Sequence, residues 1–405
     1  MTTVSAYTAA RTAEIENATI IDGEILGDNL VLRRFDGGTI DAGNVRGPRG
    51  EDTAIHQILL PALKMLTNGP ATPISTTIST PPTGVVAGVD WSSDGRFLAV
   101  AHASSPYLSV YRFNGERLDK IPNPSSLPAS GALSVSWSPG SRFLFVGTTS
   151  DPEIVMYAFD GATLDRITVP SDLAPGASYG VTWSPNERYA AVAHASSPYL
   201  TVLKVDSYGI TKLADPVTLP TGQAYSVSWS PDGTLIAVAH ASYPYLSMYE
   251  IDGVALTKQP NPVTLPTGTA RDVAWSPTGK HLAVAHETSP YISVYNFEVG
   301  LTPVKVANPD TLPTHTALSV AWSPDGRYLT LVTNAADTIK TYFFDEDEFQ
   351  TVFENADTDD TYRNAVEWSP DGKSIAYGIV PSPYLEVFKT LCTYYTDGSY
   401  AIAYR

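Results

Sequence analysis

Between residues 72 and 405 the apolar and polar positions run through the same course seven times. Each course begins with alternation, as in Tyr225-Ser-Val-Ser-Trp229 or Leu318-Ser-Val-Ala-Trp322, the period of two that puts apolar side chains on one face of a strand. A nearly continuous apolar run follows, Leu282-Ala-Val-Ala285 for example, and reads as a strand covered on both faces. A third strand comes after a Ser-Pro-Tyr loop (Tyr107-Leu-Ser-Val-Tyr111, Tyr291-Ile-Ser-Val-Tyr295) or its Tyr-Pro-Tyr variant (Tyr245-Leu-Ser-Met-Tyr249). It ends at Asn114-Gly115, Asp160-Gly161 or Asp252-Gly253, dipeptides that favour tight hairpins. A fourth, more polar strand leads into a Leu-Pro connection, as at Leu219-Pro220 and Leu265-Pro266, and its polarity predicts an outer edge.

All seven tryptophans of the chain stand at one place in this course: Trp91, Trp137, Trp183, Trp229, Trp275, Trp322 and Trp368, at intervals of 46 or 47 residues. A fixed period of this size means one supersecondary unit that buries its apolar faces on copies of itself. Each tryptophan opens a turn, Trp229-Ser-Pro-Asp-Gly233 in its fullest form, where proline presets φ, aspartate bonds the local backbone and glycine takes positive φ. Four antiparallel strands repeated seven times predict an all-β chain whose body is a seven-bladed β-propeller. The motif resembles WD-repeat-like propellers, and among them the lactonase-like and quinoprotein-like sevenfold rings. It departs from WD repeats proper, because the tryptophan ends the first strand and tyrosine holds the third-strand position.

Residues 1–70 lack both tryptophan and repeat. Thr19 to Arg34, Phe35-Asp-Gly-Gly38 and Thr39-Ile-Asp-Ala-Gly43 read as short strands joined by tight turns, and Gly47-Pro-Arg-Gly50 is a single collagen-type step, read here as an extended linker. Beyond it, Ile55, Ile58, Leu59, Ala62, Leu63 and Leu66 form one apolar helical stripe interrupted by Pro61. The expected organisation is a β anchor over 1–50, a helical connector over 51–71 and the propeller over 72–405, so that a small N-terminal β/helix anchoring arm precedes the ring. Asp22-Gly-Glu-Ile-Leu-Gly-Asp-Asn-Leu-Val-Leu32, with the Asp-Gly-Gly hairpin and Asn44-Val-Arg-Gly-Pro-Arg-Gly50, resembles the N-terminal anchoring module of bacteriophage minor tail proteins. That resemblance implies a virion structural protein, assembled in the host cytoplasm and located in the tail. Residues 1–70 would bind other tail proteins, the collagen-like step suggests a homotrimer, and the propeller would face a host-surface glycan or protein.

Charge narrows the partners. With 25 basic and 42 acidic side chains the chain carries a formal charge of −17, which repels phosphate backbones and argues against nucleic acid. One cysteine, Cys392, allows no intramolecular disulfide and no thiolate metal cluster. No segment reaches the roughly 20 apolar residues of a membrane helix, so no membrane insertion is expected, and the N-terminus does not read as a secretory signal.

Candidate chemistry is judged against the repeat. His102, His194, His240 and His286 stand at one register position, where other blades carry Thr148, Thr333 and Ile379; equivalent positions on a ring do not converge, so a structural role is expected and no metal site. Tyr107, Tyr199, Tyr245, Tyr291 and Tyr384 in the Pro-Tyr loops are the candidate binding residues, since rim tyrosines offer contact area at small rotamer cost. Residues 345–360 hold eight carboxylates out of EF-hand register and read as a solvated acidic face. No nucleophile elbow, zinc helix or phosphate loop occurs, and no acid/base trio is evident outside the repeat register; the expectation is a non-enzymatic protein without cofactor. The alternatives are a lactonase-like propeller enzyme with its substrate or a metal in the central channel, and a cellular scaffold propeller that binds peptides.

Overall fold

The computed structural model describes residues 20–26, 29–34, 39–44 and 400–404, and residues 77–394 except 171–172, 208, 298–301, 335–338, 346–347 and 356–361. Every regular element among the described residues is a strand. The chain divides into two compact units, one of residues 76–387, the other of residues 1–75 with 388–405.

In the larger unit each repeat is one antiparallel sheet whose strands follow sequence order. The fourth blade is typical: Ala224–Trp229, Leu235–His240, Leu246–Asp252 and Ala255–Lys258. The seven first strands neighbour one another in turn, and that of the seventh blade (Tyr362–Trp368) returns to that of the first (Val86–Trp91), closing the circle. Thr77–Ile78 pairs parallel with Arg117–Leu118 on the outer edge of the first blade. The seventh sheet continues in sequence through Ser374–Val380 and Leu385–Tyr394, and residues 390–394 pair with Tyr400–Tyr404.

The turn after each tryptophan is built by its own side chains. Ser92 Oγ donates to Asp94 Oδ1 at 2.6 Å and accepts from Phe97 N at 2.9 Å, while Gly95 N returns to Ser92 O at φ +67°. Ser230 with Asp232 and Ser369 with Asp371 repeat this closure. The serine hydroxyl thus satisfies backbone that a tight chain reversal would otherwise strand.

The tryptophans are 3% to 7% exposed and fill the space between each sheet and the one before it. Trp183 lies against Phe143 and Phe145 of the preceding blade, with centroids at 6.1 and 5.0 Å, Trp229 against Tyr189 at 6.1 Å, and Trp368 against Tyr328 at 6.3 Å. The third-strand tyrosines do a second job. Tyr111, Tyr157, Tyr249 and Tyr342 are completely buried, and each donates its hydroxyl at 2.9 Å to a carbonyl of the segment entering its blade: Thr80, Ser126, Thr218 and Thr311. Of the acidic stretch, Glu348–Asn355 is the outer strand of the sixth blade, where Phe349 packs on Tyr342 and Phe344.

The four histidines are structural. Each is fully buried, and Nε2 meets a hydroxyl seven residues on, Ser109, Thr201, Ser247 or Ser293, at 3.0 to 3.1 Å, linking the second strand to the third. Burial holds each imidazole down at about 4, so all four are neutral near pH 7.

The other unit contains an antiparallel meander, Ile20–Leu26, Asn29–Arg34 and Thr39–Asn44, in the place where short strands were expected. The helical stripe over 55–66 and the Gly47-Pro-Arg-Gly50 step lie outside the described residues.

Two outcomes follow from this packing. Trp229→Ala should cost about 3–5 kcal/mol in chemical denaturation, as large-to-small core changes do; a loss below about 1 kcal/mol would contradict the wedge role. Because the histidines bind protons more weakly folded than unfolded, their contribution is full above pH 6.5 and is lost as pH falls toward 4, on the order of 3 kcal/mol for each. Denaturation midpoints should therefore drop between pH 7 and 5, and His240→Thr, the residue type of blades 2 and 6, should flatten that slope.

Candidate functional site

The Pro-Tyr loops and the Leu-Pro connections share one face of the ring. Thr83 Oγ1 donates to Ser105 O at 2.7 Å, Thr221 to Tyr243 O at 2.7 Å and Thr267 to Ser289 O at 2.8 Å, tying each connection to the loop of its own blade. Tyr107, Tyr199, Tyr245, Tyr291 and Tyr384 all take φ between 66° and 70°, a conformation rarely adopted by residues with a β-carbon. Their rings are half-buried and pack on the apolar clusters between blades, so the structure places these five at separate points of one face without bringing them together. The prominent exposed aromatic there is Tyr243, 71% accessible, edge-on to Tyr245.

What does converge is the first strand of every blade, around a central cavity of about 540 Å³. Each first strand carries a β-bulge at the same place, visible as a register break between Ala224 and Ser226 in the fourth blade and between Ala270 and Asp272 in the fifth. A bulge leaves one residue unpaired and re-aims its side chain. The seven bulged residues, Ala87, Leu133, Tyr179, Tyr225, Arg271, Leu318 and Asn364, all line the cavity. Unlike the valine two residues before every tryptophan, they differ from blade to blade.

Three of them form a contiguous arc. Tyr179 meets Tyr225 edge to face at 5.6 Å, and the Arg271 guanidinium lies over the Tyr225 ring at 4.4 Å. Arg271 is held by Glu287, whose Oε1 accepts from both Nε, at 2.8 Å, and Nη2. Glu287 directly follows the second strand of its blade, which places this arc at the mouth on the Pro-Tyr face.

Deeper positions carry carboxyl groups. Asp272 accepts from Ser226 Oγ at 2.6 Å, Val273 N at 2.8 Å, Ser319 Oγ at 2.8 Å and Val320 N at 2.9 Å, joining blades 4, 5 and 6. Asp90 accepts from Trp137 N at 2.5 Å, joining blades 1 and 2. Burial raises both acids, Asp90 to about 7, against the opposing pull of these donors. Glu367, at the position of Asp90 in the adjacent seventh blade, is driven well above the usual carboxylate range by burial and then by the charges of Asp90 and Asp272. The lining side chains have measurable accessible area because they face the cavity, yet they lie far from bulk water, and it is this depth that disfavours their charged forms.

Sequence reasoning treated the polar positions as recurring blade after blade, and the channel corrects this. Asp90, Arg271, Asp272 and Glu367 each break the register at inward positions, one, three or four residues before the tryptophan. Aligning the seven copies on tryptophan and comparing only these positions would have exposed them. Among the described residues, no three His, Cys, Asp or Glu side chains are grouped to hold a metal ion.

No curated protein matches the sequence. Among solved structures the chain is similar to Kuenenia stuttgartiensis hydrazine synthase, at 16% identity over 78% of this chain and 97% of that one, with a TM-score of 0.62. It is also similar to the β-propeller domain of Cps50 (Swd1) from Myceliophteria thermophila, at 13% identity over 77% and 99% of the two chains, with a TM-score of 0.59. At these identities the likeness is one of fold. Residues 131–390, more than half of the chain, match the family model described as lactonase, 7-bladed beta-propeller, and with that match and a ring of seven sheets around one channel, the chain belongs to this family.

Proposed function

We propose that the protein is a minor tail or fibre-type component of a bacteriophage particle whose propeller is displayed for contact with a host surface or for assembly of the tail tip. The observation that carries this reading is that the tail-module-like stretch, Asp22 to Leu32 with the strand after it, folds as its own three-stranded sheet, in the compact unit formed by residues 1–75 with 388–405. Residues 1–70 attach the chain to other tail proteins, as a homotrimer, and the location is the virion tail after assembly in the host cytoplasm. The five loop tyrosines contribute to the outward face. Asp272 supports a scaffold role for the channel acids, because three of its four donors come from the two flanking blades and hold three blades together.

A second reading, a lactone-opening enzyme, is favoured by the family match and by Asp90. A carboxyl poised near 7 can take a proton from water as it attacks an ester carbonyl, and a protonated Glu367 in the next blade can donate to the departing alkoxide.

Immunogold electron microscopy with antibody to residues 76–387 should label the tails of purified particles, and absence of the chain from particles would end the virion reading. Incubation of purified full-length protein with sugar-acid lactones should give no hydrolysis above background. Turnover that disappears in Asp90→Asn would establish the enzyme instead. Glu367 supplies an independent check on the channel. Its raised affinity for a proton favours the fold at acidic pH, and that contribution is lost as pH rises above the normal glutamate range, since the unfolded chain then ionises freely. Glu367→Gln should therefore raise the melting temperature at pH 8 and leave it nearly unchanged at pH 4.

A further inference from the structure

The channel mouth is asymmetric in a way that packing does not require. The seven bulged residues lie outside the strand ladder, and the ring would close with any small apolar side chain there, as it does at Ala87. Blades 3, 4 and 5 instead present two tyrosines and an arginine in mutual contact, with Leu133 and Leu318 flanking this arc on blades 2 and 6.

We infer that this mouth binds the terminal pyranose of a neutral saccharide, with Tyr179 and Tyr225 as its stacking platform and the Arg271–Glu287 pair as its hydrogen-bonding fork. A pyranose has an apolar C–H face and a rim of hydroxyls, and the arc offers a matching surface for each. Both rings are partly accessible, and Arg271 and Glu287 each keep about a third of their side-chain surface exposed, 33% in both cases. The guanidinium is fixed by its carboxylate and by the ring beneath it, so a planar donor set and an adjacent acceptor are already in place for neighbouring hydroxyls. The cavity of about 540 Å³ falls within the range of small-ligand sites and accommodates one sugar ring. Charge selects among sugars. Glu287 neutralises Arg271, the cation among the described residues that line the cavity, in a chain of net charge −17, so a uronate or sialate gains no unpaired cation there and is repelled by the chain's overall charge.

This inference rests on the display reading and deepens it by naming the host-surface chemistry the ring would contact at the channel mouth. Full-length protein is applied to an array of neutral and acidic glycans, and hits are titrated calorimetrically with the matching methyl glycoside and its uronate. A neutral glycoside should bind better than its uronate. Tyr179→Ala and Tyr225→Ala should each weaken it by about tenfold or more, the loss expected of one stacked ring. Tyr179→Phe should restore binding, and Tyr243→Ala should leave it unchanged, with melting temperatures recorded for every variant. Absence of neutral-saccharide binding at millimolar concentration, preference for the uronate, or full affinity in a folded Tyr225→Ala would each overturn the inference. Particles that contain the chain without such binding would overturn it alone, whereas saccharide binding by a chain absent from particles would leave the site standing and remove the virion reading.

Discussion

Every sheet in the propeller is apolar on both faces and must be covered on both, and this requirement governs the rest of the ring. A four-stranded sheet of some twenty residues cannot meet it alone, since the buried area would not offset the entropy of ordering the chain. The tryptophan at the end of each first strand answers it by filling the gap to the preceding blade, beside aromatic residues such as Phe143, Tyr189 and Tyr328. The same contact closes the circle. Val86, Val89 and Trp91 of the first blade share one apolar cluster with Ala365, Ala376 and Leu385 of the last, and a β-carbon on Gly378 would meet Val86 Cγ1 at 2.7 Å, a measure of how closely the two sheets approach.

Closure by packing leaves the axis as the place where blades differ. Positions that face a neighbouring sheet are held to apolar, volume-matched residues, which is why valine stands two residues before all seven tryptophans. Positions that face the channel escape this constraint. There the chain carries a guanidinium, two tyrosines and three carboxyl groups, and part of that set has been drawn into the architecture itself, as Asp272 spanning three blades demonstrates. Buried acids of this kind lower stability unless well bonded, and at the same registers other blades carry residues such as serine or alanine.

Two opposite electrostatic responses are built into one fold. The histidines bridging second and third strands must stay neutral, and acid works against them. The channel acids prefer to hold a proton, and alkali works against those. Both arise from one cause, the removal of an ionisable group from bulk water, and the direction differs only because the charged form is the protonated one for histidine and the deprotonated one for a carboxyl.

The sequence by itself determined the repeat, the number of blades, the strand order within each and the turn chemistry, because all of these rest on contacts within about 46 residues or on a pattern copied seven times. It also located the short strands before residue 45 and the structural role of the four histidines. It singled out the loop tyrosines from their recurrence, and that recurrence sets them at separate points of one face. The channel mouth was hidden for the converse reason. Tyr179, Tyr225 and Arg271 are 46 residues apart along the chain, and they meet only because a bulge turns one residue of each first strand toward a common axis. The shifted acidities of Asp90 and Glu367 likewise exist only once the ring is closed, since depth from water belongs to the assembled blades and to no single repeat.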